Sequence, residues 1–188
     1  MTGFDAFAAQ TAVLKPFPGK PHPKINISVE ATRLAPGRLR LWYIVTGAVD
    51  GLKVPPHTKP GREDGLWHRT CCEAFVRSGA GTAYREINLS PSSRWAAYDF
   101  TDYRHGGQNP AMPTPVISIS EAPGKRFALG ADLHFESPAM AKAPWHLGLS
   151  MVVEEKTGGK SWWALAHTAD KPDFHRADCF TLTLPAAG

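Results

Sequence analysis

Apolar and polar residues alternate in steps of two along most of this chain. Ile25, Ile27 and Val29 interleave with Asn26, Ser28 and Glu30, and Leu39, Leu41, Tyr43 and Val45 with Arg38, Arg40, Trp42 and Ile44. In a later segment Phe127, Leu129, Ala131, Leu133 and Phe135 share one side, with Arg126, Asp132 and His134 opposite. Trp145, Leu147, Leu149, Met151 and Val153 repeat the pattern, and Phe180, Leu182 and Leu184 close it. A period of two is the mark of a strand with one buried face. Breakers stand between these segments: Ala35-Pro36-Gly37, Ala122-Pro123-Gly124 and Thr157-Gly158-Gly159. The pattern predicts an all-β protein of about eleven strands, arranged as a two-sheet antiparallel β-sandwich with jelly-roll or Greek-key connections. Helical signal is confined to two short stretches, Phe4–Gln10 and Pro138–Lys142.

Composition agrees with a loop-rich β protein. Gly and Pro, 17 of each in 188 residues, exceed their usual combined share of about 12%. The length suits one domain with a single sizeable core, residues 1–188. The net charge is +4, but the basic residues (Arg33, Arg38, Arg40, Arg62, Arg77, Arg94, Arg126) are scattered, which argues against nucleic acid as a partner. No stretch has the apolar length to span a bilayer. Cys71, Cys72 and Cys179 form an odd set without a C-x-x-C spacing, and read as buried free thiols in a reducing compartment. The first residues do not resemble a secretory signal. A cytoplasmic location is therefore expected.

Candidate chemistry is concentrated between Leu66 and Arg104, where rings are interleaved with carboxylates, an amide and guanidinium groups. Such a mixture suits a polar ligand with flat apolar faces, as sugars have. Along Tyr84–Leu89, Arg85, Ile87 and Leu89 fall on one side and Tyr84, Glu86 and Asn88 on the other. A hairpin across Ser78-Gly79-Ala80-Gly81 would put Glu73 on the face of Glu86. The pair could hold hydroxyls, do acid–base chemistry, or be neutralised by Arg77, Arg85 or Arg104. Trp145 continues an apolar face and should be core. Trp67 and Trp95 lie beside turn residues and charges, as stacking surfaces would, and adjacent Trp162 and Trp163 must face opposite ways. Two long connections, Asp50–Gly65 and His105–Pro115, flank this region.

Other chemistries find little support. His167 and His175 are separated by eight positions, with Asp173 between them, and match no metal-ligand spacing. No G-x-S-x-G elbow is present, and Ser90-Pro91-Ser92 reads as a turn. There is no Gly-rich phosphate loop.

The residues Leu66-Trp67, Thr70-Cys71, Glu73, Phe75, Tyr84, Glu86, Asn88, Ser90-Pro91, Trp95, Tyr98, Phe100 and Tyr103-Arg104 form a pattern that resembles the bacterial DOMON-like domains, relatives of the family 9 carbohydrate-binding modules. Trp163-Ala164-Leu165, His167, Lys171-Pro172-Asp173-Phe174-His175, Phe180, Leu182 and Leu184 extend the resemblance to nearly the whole chain. It implies an immunoglobulin-like or jelly-roll sandwich that binds a sugar or a haem on one concave face, without catalysis. It further implies stacking by Trp67 and Trp163 and hydroxyl contacts from Glu73, Arg85 and Asn88. Haem relatives use Met and His ligands; Met112, Met140 and Met151 match no such motif, and Met151 lies on an apolar strand face. The expected ligand site thus comprises Trp67, Glu73, Arg85, Glu86, Asn88, Trp95, Arg104, Trp163, His167 and His175. The expected function is non-catalytic binding of a saccharide or other small molecule, with no metal or cofactor. Haem binding and a small hydrolase built on Glu73 and Glu86, with His167 or His175 assisting, are the alternatives.

Overall fold

The computed structural model of the protein describes residues 9–187. Strands begin with β1 (Gln10–Pro16), β2 (Ile25–Ala35), β3 (Arg38–Gly47) and the two-residue β4 (Gly61–Arg62). Next come β5 (Cys71–Ser78), β6 (Tyr84–Leu89), β7 (Arg94–Asp102), β8 (His105–Gln108) and β9 (Val116–Ala122). The chain continues through β10 (Arg126–His134), helix α1 (Pro138–Lys142), β11 (Trp145–Glu154), β12 (Lys160–Ala164) and β13 (Leu182–Leu184). The alternating segments of the sequence become β2, β3, β10 and β11, and the Pro-Gly and Gly-Gly breakers form the turns between strands. Gly37, in the β2–β3 turn, takes a left-handed φ of 70°; a side chain there would also strike the carbonyl oxygen of Phe135 at 2.4 Å. The short helix at Pro138–Lys142 is present. Most of the N-terminal helical stretch, Phe4–Gln10, lies outside the described residues, and Gln10 itself opens β1.

Hydrogen bonding joins the strands in one continuous path, β4-β7-β6-β5-β11-β12-β1-β2-β3-β10-β9, with β13 added on β11 and β8 on β7. Separate sheets were expected from the alternation; instead β1 bridges the two halves. Its residues Gln10–Leu14 pair with β2, while Lys15 and Pro16 pair with β12. The halves curl so that their apolar faces share one core. Ile27, Val29, Leu41, Tyr43, Leu129 and Leu133 come from one half, and Val76, Ile87, Leu147, Leu149 and Met151 from the other. Burying this many aliphatic and aromatic side chains, each contributing about 1.5–3 kcal/mol, is the main force holding the curl. Trp145 lies fully within it, with Arg33 stacked on its ring at 3.8 Å. That guanidinium is buried and donates to the carbonyls of Met140, Ala143 and Pro185, tying β2 to the segment before β11 and to the residue that follows β13.

The outer face of the β7-β6-β5-β11-β12 half carries a second apolar cluster: Phe75, Tyr84, Val152, Ala164, Phe174, Cys179 and Phe180. Phe180 was expected to extend the face of Leu182 and Leu184. It belongs to this outer cluster instead, because it caps a 3-10 turn at Ala177–Cys179 with φ −87° and ψ 67°, outside the extended backbone that would carry the alternation into β13. Gly148 makes this possible, since a Cβ there would meet the Phe180 ring at 2.5 Å. The long connection between β12 and β13 is thereby pinned across the outer face of the sheet, and this covering creates the site.

A candidate binding cavity on the outer sheet face

The strand register decides which side chains share the outer face. In the β5–β6 hairpin, Glu73 pairs with Asn88 and Phe75 with Glu86, so the two glutamates are diagonal neighbours on one face. Glu86 in turn pairs with Tyr98 of β7, and Glu73 with Ser150 of β11. Val152 pairs with Trp162 of β12. Glu73, Phe75, Glu86, Tyr98, Val152 and Trp162 floor an open cavity of about 440 Å³, within the range of small-molecule sites. Its walls come from loops: Trp67 from a 3-10 turn at Leu66–His68, Arg104 from the β7–β8 turn, and Pro172, Asp173, Phe174 and His175 from the covering connection.

Five of the ten residues expected from the sequence line this cavity: Trp67, Glu73, Glu86, Arg104 and His175. Asn88 sits behind it, fully buried, and donates from Nδ2 to Glu86 Oε1 at 2.8 Å. Four lie elsewhere. Trp95 and Trp163 belong to the core; the register explains both, since Trp95 pairs with the core residue Leu89 and Trp163 with the core residue Met151. Arg85 points to the opposite side of β6 and forms a two-pronged ion pair with Asp99 at 2.6 and 2.8 Å. His167 is held at the sheet margin, where its Nε2 meets the carbonyl of Lys15 at 2.8 Å and its ring meets Phe17 edge-on.

Missed by the sequence reading are Tyr98, Phe100, Trp162, Val152, Phe75, Pro172, Asp173 and Phe174. Tyr98 and Trp162 were recoverable. Each stands one strand across from, or one residue beside, a position whose face the alternation already assigns. The covering connection has no periodicity and left no such signal.

The carboxylates are held differently from a neutralised pair. Glu73 Oε2 accepts the Ser150 hydroxyl at 3.0 Å, and its backbone continues β5 beneath the cavity floor. Burial, reinforced by the neighbouring Glu86 charge, pushes its carboxyl up to about 8 despite the Ser150 hydrogen bond. Burial raises Glu86 as well, against the lowering effects of Asn88 and Arg104. Arg104, which takes a left-handed φ of 52°, donates from its backbone N–H to the Tyr84 hydroxyl and from Nη2 to Asp173 Oδ1 at 2.9 Å. Burial would raise Asp173, but hydrogen bonds from Tyr103 and Arg104 outweigh it and hold the carboxylate below its usual range. Asp173 also accepts the His175 backbone N–H, so one ion pair fixes the whole 172–175 segment against the β7–β8 turn.

His175 completes the arrangement. Its Nδ1 is 2.8 Å from the Tyr84 oxygen, which also accepts the Arg104 N–H, and its Nε2 faces Glu86 Oε2 at 3.6 Å. Burial and the nearby Arg104 charge lower His175 to about 4, so the ring is neutral at physiological pH. On the opposite rim, Tyr98 donates to Asp64 Oδ1 at 2.6 Å, and Trp67 meets Tyr98 edge-on. Arg62 donates to Asn109 Oδ1 at 2.6 Å, linking the two long connections that flank the region in sequence.

Rings on two sides and hydrogen-bonding groups on the floor describe a site for a polar, flat-faced ligand. The fold of the chain occurs in solved structures. The chain matches a candidate carbohydrate-binding protein from Bacteroides uniformis with a TM-score of 0.65 at 14% identity, over 95% of this chain and 86% of that one. It shares its fold with family 9 carbohydrate-binding modules. One such module from Caldicellulosiruptor kristjanssonii, in complex with cellotriose, matches with a TM-score of 0.51 at 7% identity over 84% of this chain and 72% of that one. The corresponding glucose complex gives 0.52 at 8% identity, over 82% and 73%. At these identities the likeness is one of fold. No family model and no curated protein matches the sequence.

The three cysteines are buried free thiols. Met151 lies in the core. Among the described residues no cluster of three or more His, Cys, Asp or Glu is arranged to hold a metal ion, and no helix is long and apolar enough to cross a membrane.

Proposed function

We propose that this protein is a non-catalytic saccharide-binding domain whose site is the cavity on the outer face of β5, β6, β7, β11 and β12. In this reading the curled sheet serves as a β-sandwich of the DOMON-like kind, one half providing the site and the other the support. Trp67, Tyr98 and Trp162 supply flat apolar surfaces for the C–H faces of a pyranose. Glu73, Glu86, Arg104 and His175 meet its hydroxyls. The observation that carries the reading is the convergence of rings and hydrogen-bonding groups in one open cavity of about 440 Å³. It is supported by a fold shared with modules solved in complex with cellotriose and glucose.

Isothermal titration calorimetry with glucose, cello-oligosaccharides and a panel of other glycans tests the proposal. Saturable binding that Trp162→Ala weakens, with the oligosaccharide recovered intact after prolonged incubation, is the expected result. Hydrolysis of the bound glycan would instead assign Glu73 and Glu86 a catalytic role.

A further inference from the structure

The charges lining the cavity do not balance internally. Arg104 is committed to Asp173, whose second oxygen takes the Tyr103 hydroxyl. Among the described residues neither Glu73 nor Glu86 is ion-paired to a lysine or arginine, and the Arg104 charge acts on both only from a distance. Glu73 receives one hydrogen bond, from Ser150, and among the described residues its Oε1 has no donor. Glu86 receives one from Asn88, and its other oxygen faces a neutral imidazole. Both residues are more than nine-tenths buried, at 3% and 6% exposed, yet both line the cavity. Two carboxylates so close together and so poorly hydrated must either retain a proton or receive a cation.

A sugar hydroxyl offers one hydrogen and no charge, which leaves that imbalance in place. An ammonium offers three donors and a full positive charge. The rings of Trp67, Tyr98, Phe100 and Trp162 around the same cavity also favour a cation over a neutral group. Resting on the saccharide reading above, we infer that the site selects a sugar bearing a free amine, with its ammonium lodged between Glu73 and Glu86. In the empty site a proton on Glu73 takes the ammonium's place. Ligand entry displaces that proton to solvent, so one proton is released for each amino sugar bound near neutral pH. The other ionisable or charged groups facing the pair are Cys71 on β5, Tyr84 on β6 and Tyr98 on β7. Arg104 faces it from the following turn, and Asp173 and His175 from the covering segment.

The test is calorimetry on the full chain with glucosamine, glucose, N-acetylglucosamine and the non-sugar amine cyclohexylamine, at pH 7 in two buffers of different ionisation heat. Glucosamine is expected to bind about tenfold or more tightly than the other three, with a buffer-dependent heat that reports proton release. Glu73→Gln and Glu86→Gln should each erase that preference, lowering glucosamine affinity far more than glucose affinity, with circular dichroism confirming the fold of both variants. Equal binding of glucosamine and glucose, or preference for N-acetylglucosamine, overturns the amine inference and leaves the saccharide reading standing. Cyclohexylamine binding as tightly as glucosamine shows an amine site with no sugar specificity. Absence of binding by all four, and by their β-linked disaccharides where these exist, overturns both.

Discussion

The hydroxyl of Tyr43, on β3, donates a 2.7 Å hydrogen bond to the main-chain carbonyl of Glu73, on β5. These residues sit in opposite halves of the curled sheet, and Tyr43 is fully buried between them. One half of the fold therefore anchors, through the core, the backbone position from which the other half presents its most buried carboxylate. Site and scaffold meet at this bond.

Removing it leaves a buried carbonyl without that partner. Tyr43→Phe is expected to lower stability by about 1–2 kcal/mol, read as a shifted midpoint in urea denaturation. An unchanged midpoint would mean that the bond contributes nothing net.

The adjacent tryptophans of β12 should separate function from folding. Trp163 is 2% exposed and packed in the main core, so Trp163→Ala is predicted to cost about 3–5 kcal/mol. Trp162 lines the cavity, and Trp162→Ala is predicted to abolish most saccharide binding while shifting the melting temperature much less. Thermal melts and titrations on the two proteins decide it; the reverse assignment would invalidate the register argument.

Stability should respond to pH through two buried groups of opposite sign. Glu73 is raised to about 8 when folded, from 4.5, so its contribution is full below 4.5 and is lost as pH climbs through 8. His175 is lowered to about 4 from 6.5, so its contribution is full above 6.5 and is lost as pH falls through 4. Between about 4.5 and 6.5 the two slopes oppose one another. Above 6.5 Glu73 acts without that opposition, and each pH unit costs up to about 1.4 kcal/mol. Unfolding free energies are thus expected to fall by up to about 2 kcal/mol from pH 6.5 to 8, and Glu73→Gln should flatten the decline. A wild-type profile that rises over that interval contradicts the placement of Glu73.

Asp173 is the latch of the covering connection, accepting from Tyr103, Arg104 and the His175 backbone. Asp173→Ala should free the 172–175 segment and the β7–β8 turn together. Hydrogen–deuterium exchange is expected to quicken in both regions at once, with the core strands unchanged and saccharide affinity reduced. Faster exchange in only one of the two would show that they are not coupled through this carboxylate.

How much of this was legible beforehand varies by residue. The apolar alternation of β2, β3, β10 and β11 was readable because a half-buried strand must alternate, whatever lies across from it. The hairpin bringing Glu73 and Glu86 to one face was readable too, since both strands and their turn are contiguous in sequence. Trp95 and Trp163 were misassigned because neighbouring charges say less about orientation than the partner strand does: Leu89 and Met151, not the local sequence, turn them inward.

What the chain determined by itself was therefore local: strand periodicity, turn positions, and which residues of one hairpin share a side. Tertiary structure alone decided the rest. It let β1 divide its pairing and join what alternation suggests are separate sheets, and it drew residues 172–175 across the outer face to Arg104, some seventy positions earlier. Such choices follow from packing and ion pairing between segments distant in sequence, and side-chain periodicity within one segment carries no record of its eventual partner.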